Sequence, residues 1–353
     1  ASAASDVYKR QAFESVDLSY VVNLTPRQAD SFDTSISKAN NLMLSEEALA
    51  LQREGGTWSE LFDRLASVNT SQTAAVIVFY LFSIGLGLFV YPIIRLALPG
   101  LADKGYAFAR LAGFLLIAYF AFILGSSGFA VTKGLIAGIC VVIALAGLLA
   151  AFLDRQSLIK ELRENWKNYL VIELLALIAF LFFLWVRYNN PDLWHPYKGG
   201  EKPMDLAYLN AIIKSTTFPP YDPWFSGGYI NYYYFGWVPI AALIKMTGIL
   251  PTIGYNLALA SLFSFVFAGS VAVATHLIPA MEGDESRWVT RRLRWGIGAG
   301  LLVAVAGNLG EVELLWQGLD DAGRRLTDTA LLGELGEVLH GVYALITGQQ
   351  MLL

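Results

Sequence analysis

The feature that most constrains this chain is a series of apolar blocks, each close to the length of about 20 residues that carries a helix through a hydrocarbon core. They fall at about 73–98 (TAAVIVFYLFSIGLGLFVYPIIRLAL), 107–126, 134–153, 168–187, 254–278 and 295–315. Charged residues make up 15% of the chain and the mean hydropathy is +0.51. An ordinary soluble domain carries about 25% charge, so the class is a polytopic membrane protein. The one cysteine, Cys140, lies inside an apolar block. It leaves no internal disulfide framework and no cysteine-based zinc cluster to consider.

A shorter apolar piece, 233–248, contains Lys245 and is bracketed by Gly236 and Gly248. The basic linkers decide how to read it. Arg155, Lys160, Arg163 and Lys167 precede the fourth block, and Arg287, Arg291, Arg292 and Arg294 precede the last. Both sets belong in the cytoplasm by the positive-inside rule, and Arg95, Lys104 and Arg110 agree. A crossing at 233–248 would put the two linkers on opposite sides. That piece therefore reads as an interfacial or re-entrant helix on the outer face. The loop 188–253 and both chain ends then face outward, in a multi-pass protein of the plasma membrane.

The flanks divide as follows. Residues 1–11 (ASAASDVYKRQ) resemble translated library-adaptor sequence and are set aside. Residues 12–72 read as an extracytoplasmic segment containing a helix-like stretch, SEEALALQREGGTWSELFDRL. Residues 73–166 hold three spans, 167–315 form a core with the outer loop, and 316–353 begin a further extracytoplasmic segment. The chain as a whole reads as an internal fragment of a longer protein.

Chemistry concentrates in the outer loop, where Asp192, His195, Glu201, Lys202, Asp205 and Asp222 lie among aromatic residues and prolines. A long loop is usually functional or disordered, and this one is too aromatic for disorder. Its stretch GGYINYYYFGWVP brings Tyr229, Asn231, Tyr232, Tyr233 and Tyr234 together. Such phenols suit a membrane–water boundary or a sugar-binding cleft beside one. The first reading points the rings at lipid, the second toward Asp205.

The segment EKPMDLAYLNAIIKSTTFPPYDPWFSGGYINYYYFG resembles the hallmark of the "YYY" membrane-protein family, whose activity is unsettled. The similarity runs from about 73 to 315 and includes YNLALA at 255–260 and GNL at 307–309. The loop is also similar to the first outer loop of GT-C glycosyltransferases, among them the protein O-mannosyltransferases and the lipid A aminoarabinose transferases. That resemblance implies an all-α, GT-C-like helical bundle whose long extracytoplasmic loop bears interfacial helices. It also implies transfer of a sugar from a polyprenyl-phosphate donor to an acceptor at the outer face.

On this resemblance Asp205 matches the first acid of an Asp-Glu motif, followed by the helix LAYLNAIIKS, with GGYINYYYFG before the next span. Leu206 stands where the motif has Glu, so Glu201 or Asp192 would supply the second acid. Asp205 would take the acceptor proton. Apart from the resemblance, cations must hold the departing lipid phosphate. Lys202, Lys198 and Lys214 are nearby donors, and arginines beyond the fragment would serve better through bidentate contacts. Tyr208, Tyr229, Asn231, Tyr232, Tyr233 and Tyr234 would shape the pocket. A divalent cation is compatible with these residues but not required by them. The expected partners are the bilayer and a polyprenyl-phosphate-linked sugar, with no nucleic acid.

Plainer readings stand beside these. Asp205 also reads as the N-cap of a helix starting at Leu206, and Asp192 and Asp222 as turn residues. Glu173, one turn into its block, is either an interface anchor or an inward-facing polar group. His195 has no partner at metal-ligand spacing, so no metal ligand is assigned. Asn256 and Asn308 read as interhelical hydrogen-bond groups, and GIGAG at 296–300 as helix packing. Asn23 and Asn69 head N-x-[ST] triplets. The absence of GxxxxGK[ST] disfavours an ATP-driven pump within this chain. Two rival functions remain: a transporter or flippase for a lipid-linked solute, and a non-catalytic assembly protein.

Overall fold

The computed structural model describes residues 43–53, 61–193, 201–225, 227–278, 291–306, 316–318 and 342. Within them the protein is all-α, with two isolated β-bridges and no strand. A short helix, α1 (Glu46–Arg53), and a single helical turn at Ser67–Thr70 precede four long helices: α2 (Gln72–Ala97), α3 (Ala109–Ser126), α4 (Lys133–Leu153) and α5 (Arg155–Asn189). The loop contributes α6 (Lys202–Lys214) and α7 (Val238–Thr247), after which α8 (Pro251–Leu277) and α9 (Arg291–Ala304) complete the order. Among the described residues five helices are long and apolar enough to cross a membrane: α2, α3 with its preceding 3₁₀ turn, α4, α5 and α8. The expected last span is described only through α9 and Ala306, and GNL with Asn308 lies outside the described residues.

Local chemistry sets the boundaries. Ser71 caps α2 by accepting from the Ala74 amide at 3.3 Å, and Thr132 caps α4 by accepting from Leu135 at 3.2 Å. Gly248, at φ 71°, ends α7 in a left-handed turn that a side chain would strain, and Pro251 opens α8. One boundary differs from expectation. The basic linker DRQSLIKELRENWKN is helical and continuous with the span after it, so α5 has 35 residues. At 1.5 Å per residue that is roughly 50 Å, which carries its charged first turns beyond a hydrocarbon core. The division expected at 166–167 falls inside this helix.

Contacts between helix termini define two ends of the bundle. At one, which we call the basic end, Arg95 of α2 meets Asp154 and Glu161 at the start of α5, and Asp103 meets His276 near the end of α8. At the other, the loop end, Val131 donates to Thr216 at 2.6 Å and Phe218 to Gly125 at 3.2 Å. The N-terminal segment docks there too, because Gln52 donates to Thr217 at 3.1 Å and accepts from Thr216 at 2.9 Å.

The short helix α7 does not cross. Its Val238, Ile240, Ala241, Ala242, Leu243 and Ile244 are buried, and it packs among α3, α4, α6 and α8 at the loop end. It is wedged into the bundle rather than lying on its surface. Small residues allow the long helices to approach, as membrane packing requires. A Cβ on Gly147 of α4 would meet the Phe89 carbonyl oxygen of α2 at 1.8 Å. Gly296 and Gly300 lie against Val271, so GIGAG packs α9 onto α8.

Candidate functional site

Asp205 stands in the first turn of α6, which begins at Lys202 rather than at Leu206. The N-cap reading of Asp205 is therefore corrected. Its carboxylate is half-buried, and the hydroxyl partner is Tyr255, one turn into α8. Burial raises its pKa above the usual carboxylate range, the Glu201 charge adds to the rise, and the Tyr255 hydrogen bond opposes it. Proline at the second position of α6 fits the helix start, where no amide partner is lost.

Glu201 is exposed and takes the N-cap position, with no capping bond from its side chain. Its carboxylate instead accepts from the Tyr233 hydroxyl at 3.0 Å. That bond raises the Tyr233 pKa to about 12. Lys202 is the first residue of α6 and half-buried. Lys198 and His195 lie outside the described residues. Lys214, expected beside the lipid phosphate, ends α6 nine residues after Asp205, roughly 14 Å along the axis. It belongs to a different cavity.

The tyrosine triplet divides. Tyr232 and Tyr233 are exposed with ring centroids 4.2 Å apart, and Tyr233 turns toward the acidic pair. Tyr234 turns inward and stacks on Phe218 at 6.2 Å, beside Phe122 of α3. Tyr208 is buried against Ala211 and Ile230, edge-on to Tyr232. Tyr229 pairs in a β-bridge with Tyr221, and Asn231 is exposed. Asp222 serves the turn expected of it, accepting from Trp224 at 2.8 Å and Phe225 at 3.1 Å.

Two residues join the site without having been expected there. Tyr255 is one; its ring also stacks on Trp237 at 5.5 Å. The other is Arg187, in the last turn of α5, within electrostatic reach of Tyr255 and Asp192. Its Nε donates to the Asn256 side-chain oxygen at 2.7 Å, and an Nη donates to the Asp192 carbonyl at 3.3 Å. Asn256 is thus the interhelical group it was read as. Arg187 closes its span at the end opposite the basic linkers, against the positive-inside pattern, and that was the signal available in sequence.

Arg187 lines a groove of about 490 Å³ between α2, α5 and α8. Helices α2 and α5 touch lower down through Tyr80 and Phe180, with ring centroids 4.7 Å apart. Above that contact Val76, Leu184, Leu193, Ile253 and Leu257 give the groove an apolar wall, while Gln72, Thr73, Arg187, Thr252 and Asn256 supply polar groups. Asp205 and Glu201 are two carboxylates near each other. No third His, Cys, Asp or Glu joins them among the described residues, so no step is assigned to a metal ion.

Two other expectations resolve away from the site. Glu173 faces Arg110, whose guanidinium also bonds the Tyr80 hydroxyl at 3.1 Å, so it is an inward structural partner. Asn69 is a clamp: its amide donates to Asp63 and Gly248 carbonyls at 2.8 and 2.9 Å and accepts from Leu250 at 2.8 Å. An amide so occupied is unsuited to carry a glycan.

Bundle and loop together define a helical multi-pass membrane protein with a half-buried acid at one end. Residues 116–332 match the family described as uncharacterized membrane protein (DUF2298), and the chain belongs to that family. The match takes in the whole loop with its tyrosine triplet. No curated protein and no solved structure matches the chain, so the likeness to GT-C enzymes rests on the loop residues alone.

Proposed function

We propose that this protein transfers a sugar from a polyprenyl-phosphate donor to an acceptor hydroxyl at the loop end, with that end facing outside the cell. One observation carries the reading. A half-buried carboxylate, Asp205, and an arginine, Arg187, both act on Tyr255, and Arg187 in turn lines the groove between α2, α5 and α8. An apolar groove between helices suits a polyprenyl chain, and a guanidinium at its polar end suits a phosphate.

In the reaction, the acceptor oxygen attacks the anomeric carbon and its proton passes to the Asp205 carboxylate. The bond from that carbon to the phosphate oxygen breaks, and the lipid phosphate leaves with the electron pair beside Arg187. A carboxylate with a raised pKa is a better match to such a proton transfer than an ordinary one. Tyr255 orients the base, Glu201 sustains its basicity by like charge, and Tyr233 with Tyr232 offers hydroxyls and ring faces to a sugar. Lys202, at the start of the same helix, adds positive charge.

The test uses the full chain in lipid nanodiscs with labelled polyprenyl-phosphate sugars. Asp205→Asn keeps the shape and is expected to lower transfer by about 10²–10⁴-fold. Full activity in that variant removes Asp205 from the mechanism. A fluorescent lipid-linked sugar that crosses the bilayer of proteoliposomes, with no transfer detected, replaces the enzyme with a flippase.

A further inference from the structure

A second cavity, of about 190 Å³, lies under α7 at the loop end and shares no lining residue with the groove at Arg187. Three lysines from three helices line it: Lys133 of α4, Lys214 of α6 and Lys245 of α7. Lys245 follows a run of buried residues in α7, is itself half-buried, and lines this space. Its ammonium donates to the Val131 carbonyl at 2.6 Å and the Ser215 carbonyl at 3.5 Å. An ammonium has three donors, so one remains.

None of the described lining residues is acidic. Among the described residues, the carboxylate nearest in sequence to the lining is Asp63, which accepts from the Leu65 amide at 2.8 Å. Placing an ammonium in so enclosed a position costs solvation, and the other two cations add repulsion. The first turn of α4, with Thr132 and Lys133, brings the positive end of a helix dipole to the same wall. Fold stability alone gives no reason to gather these charges. An anion does. Donors from three helices around one cavity suit a tetrahedral group with several oxygens, and the volume exceeds the about 30 Å³ share of one water. Leu61, Phe62 and Ile213 supply an apolar side for ester carbons.

We infer that this cavity is a phosphate-binding site in which Lys133, Lys214 and Lys245 hold a phosphate monoanion or the phosphodiester of an anionic lipid headgroup. Inorganic phosphate and phosphatidylglycerol are the two probes. The full chain in phosphatidylcholine nanodiscs is titrated with inorganic phosphate by calorimetry. A parallel preparation containing phosphatidylglycerol is analysed by native mass spectrometry for retained lipid. Saturable phosphate binding marks a free anion, whereas selective retention of phosphatidylglycerol without it marks a headgroup. Either is expected to weaken at least tenfold in Lys245→Met and several-fold in Lys214→Gln. If Lys245→Met fails to fold, Lys214→Gln and Lys133→Gln decide. Binding of neither probe by the wild type, or equal binding by wild type and variants, overturns the site.

Discussion

The two ends of the bundle handle charge in opposite ways. At the basic end, charges meet opposite charges. Arg95 bridges Asp154 at 2.5 Å and Glu161 at 2.7 Å and also bonds Ser157; the hydroxyls of Tyr91 and Tyr169 complete the Glu161 carboxylate. Asp103, fully buried, accepts from His276 at 2.8 Å and from the amides of Gly105 and Ala107. At the loop end the fastening is done by neutral groups: Asn69, Gln52 and backbone carbonyls tie the segments together. Two charges there, Asp205 and Lys245, have partners that do not neutralise them. Asp205 has a tyrosine and a like-charged neighbour, and Lys245 has two carbonyls. Paired charge holds an end shut, while charge solvated by neutral dipoles is available to a ligand.

The strongest way to break this contrast is to remove the centre of the basic end. Arg95→Met leaves two carboxylates without their cation and is expected to cost about 3–5 kcal/mol, read as a lower thermal midpoint in detergent. Sugar transfer by the protein that remains folded should be little changed. Equal loss of transfer and of stability would mean that the two ends are not separable.

At the loop end the neutral clamp should matter less. Asn69→Ala leaves the Leu250 amide and the Gly248 carbonyl without their side-chain partner, a cost of about 1–3 kcal/mol, measurable as a lower thermal midpoint. No change at all would show that water replaces the clamp.

A pH series sharpens the comparison further. Burial lowers the Lys245 pKa from 10.5 to about 8, so the folded chain binds fewer protons than the unfolded one between those values. Stability should therefore rise with pH through this window, and phosphate binding at the lysine cavity should fall as pH passes about 8. Lys245→Met should remove this group's contribution to the stability slope. A stability slope unchanged by Lys245→Met would contradict an enclosed ammonium.

The smallest effect is expected at Tyr233. Tyr233→Phe deletes an exposed hydrogen bond to Glu201 and should leave the thermal midpoint nearly unchanged, because water replaces an exposed bond at little cost. It should alter transfer by a few-fold, seen in KM rather than in kcat, if the ring contacts the sugar. A large loss of stability would instead make the tyrosine a structural anchor.

The chain itself determined much of the architecture. Apolar run length fixed where helices cross, because the need to match a hydrocarbon core acts on each segment separately. The placement of basic linkers was enough to read 233–248 as a helix that does not cross, and Lys245 and Gly248 marked its end. The same local reasoning located Asp205, Glu201 and Tyr233 in one loop. It misjudged the start of α6, because the favourable Pro203 at the helix beginning was outweighed by the capping preference of Asp205.

Tertiary structure decided the rest. Asp205 meets Tyr255 across 50 positions, and Arg187 meets Asn256 across 69. The three lysines come from helices that adjoin only once α7 is wedged among them. Whether Tyr234 faces the core while Tyr233 faces Glu201 depends on how the segment after Phe235 packs, and neighbouring identical residues carry no mark of it. Helix length is a property of one segment in its solvent, so sequence reports it directly. A site is a property of side chains brought together from distant segments, and only their packing assembles it.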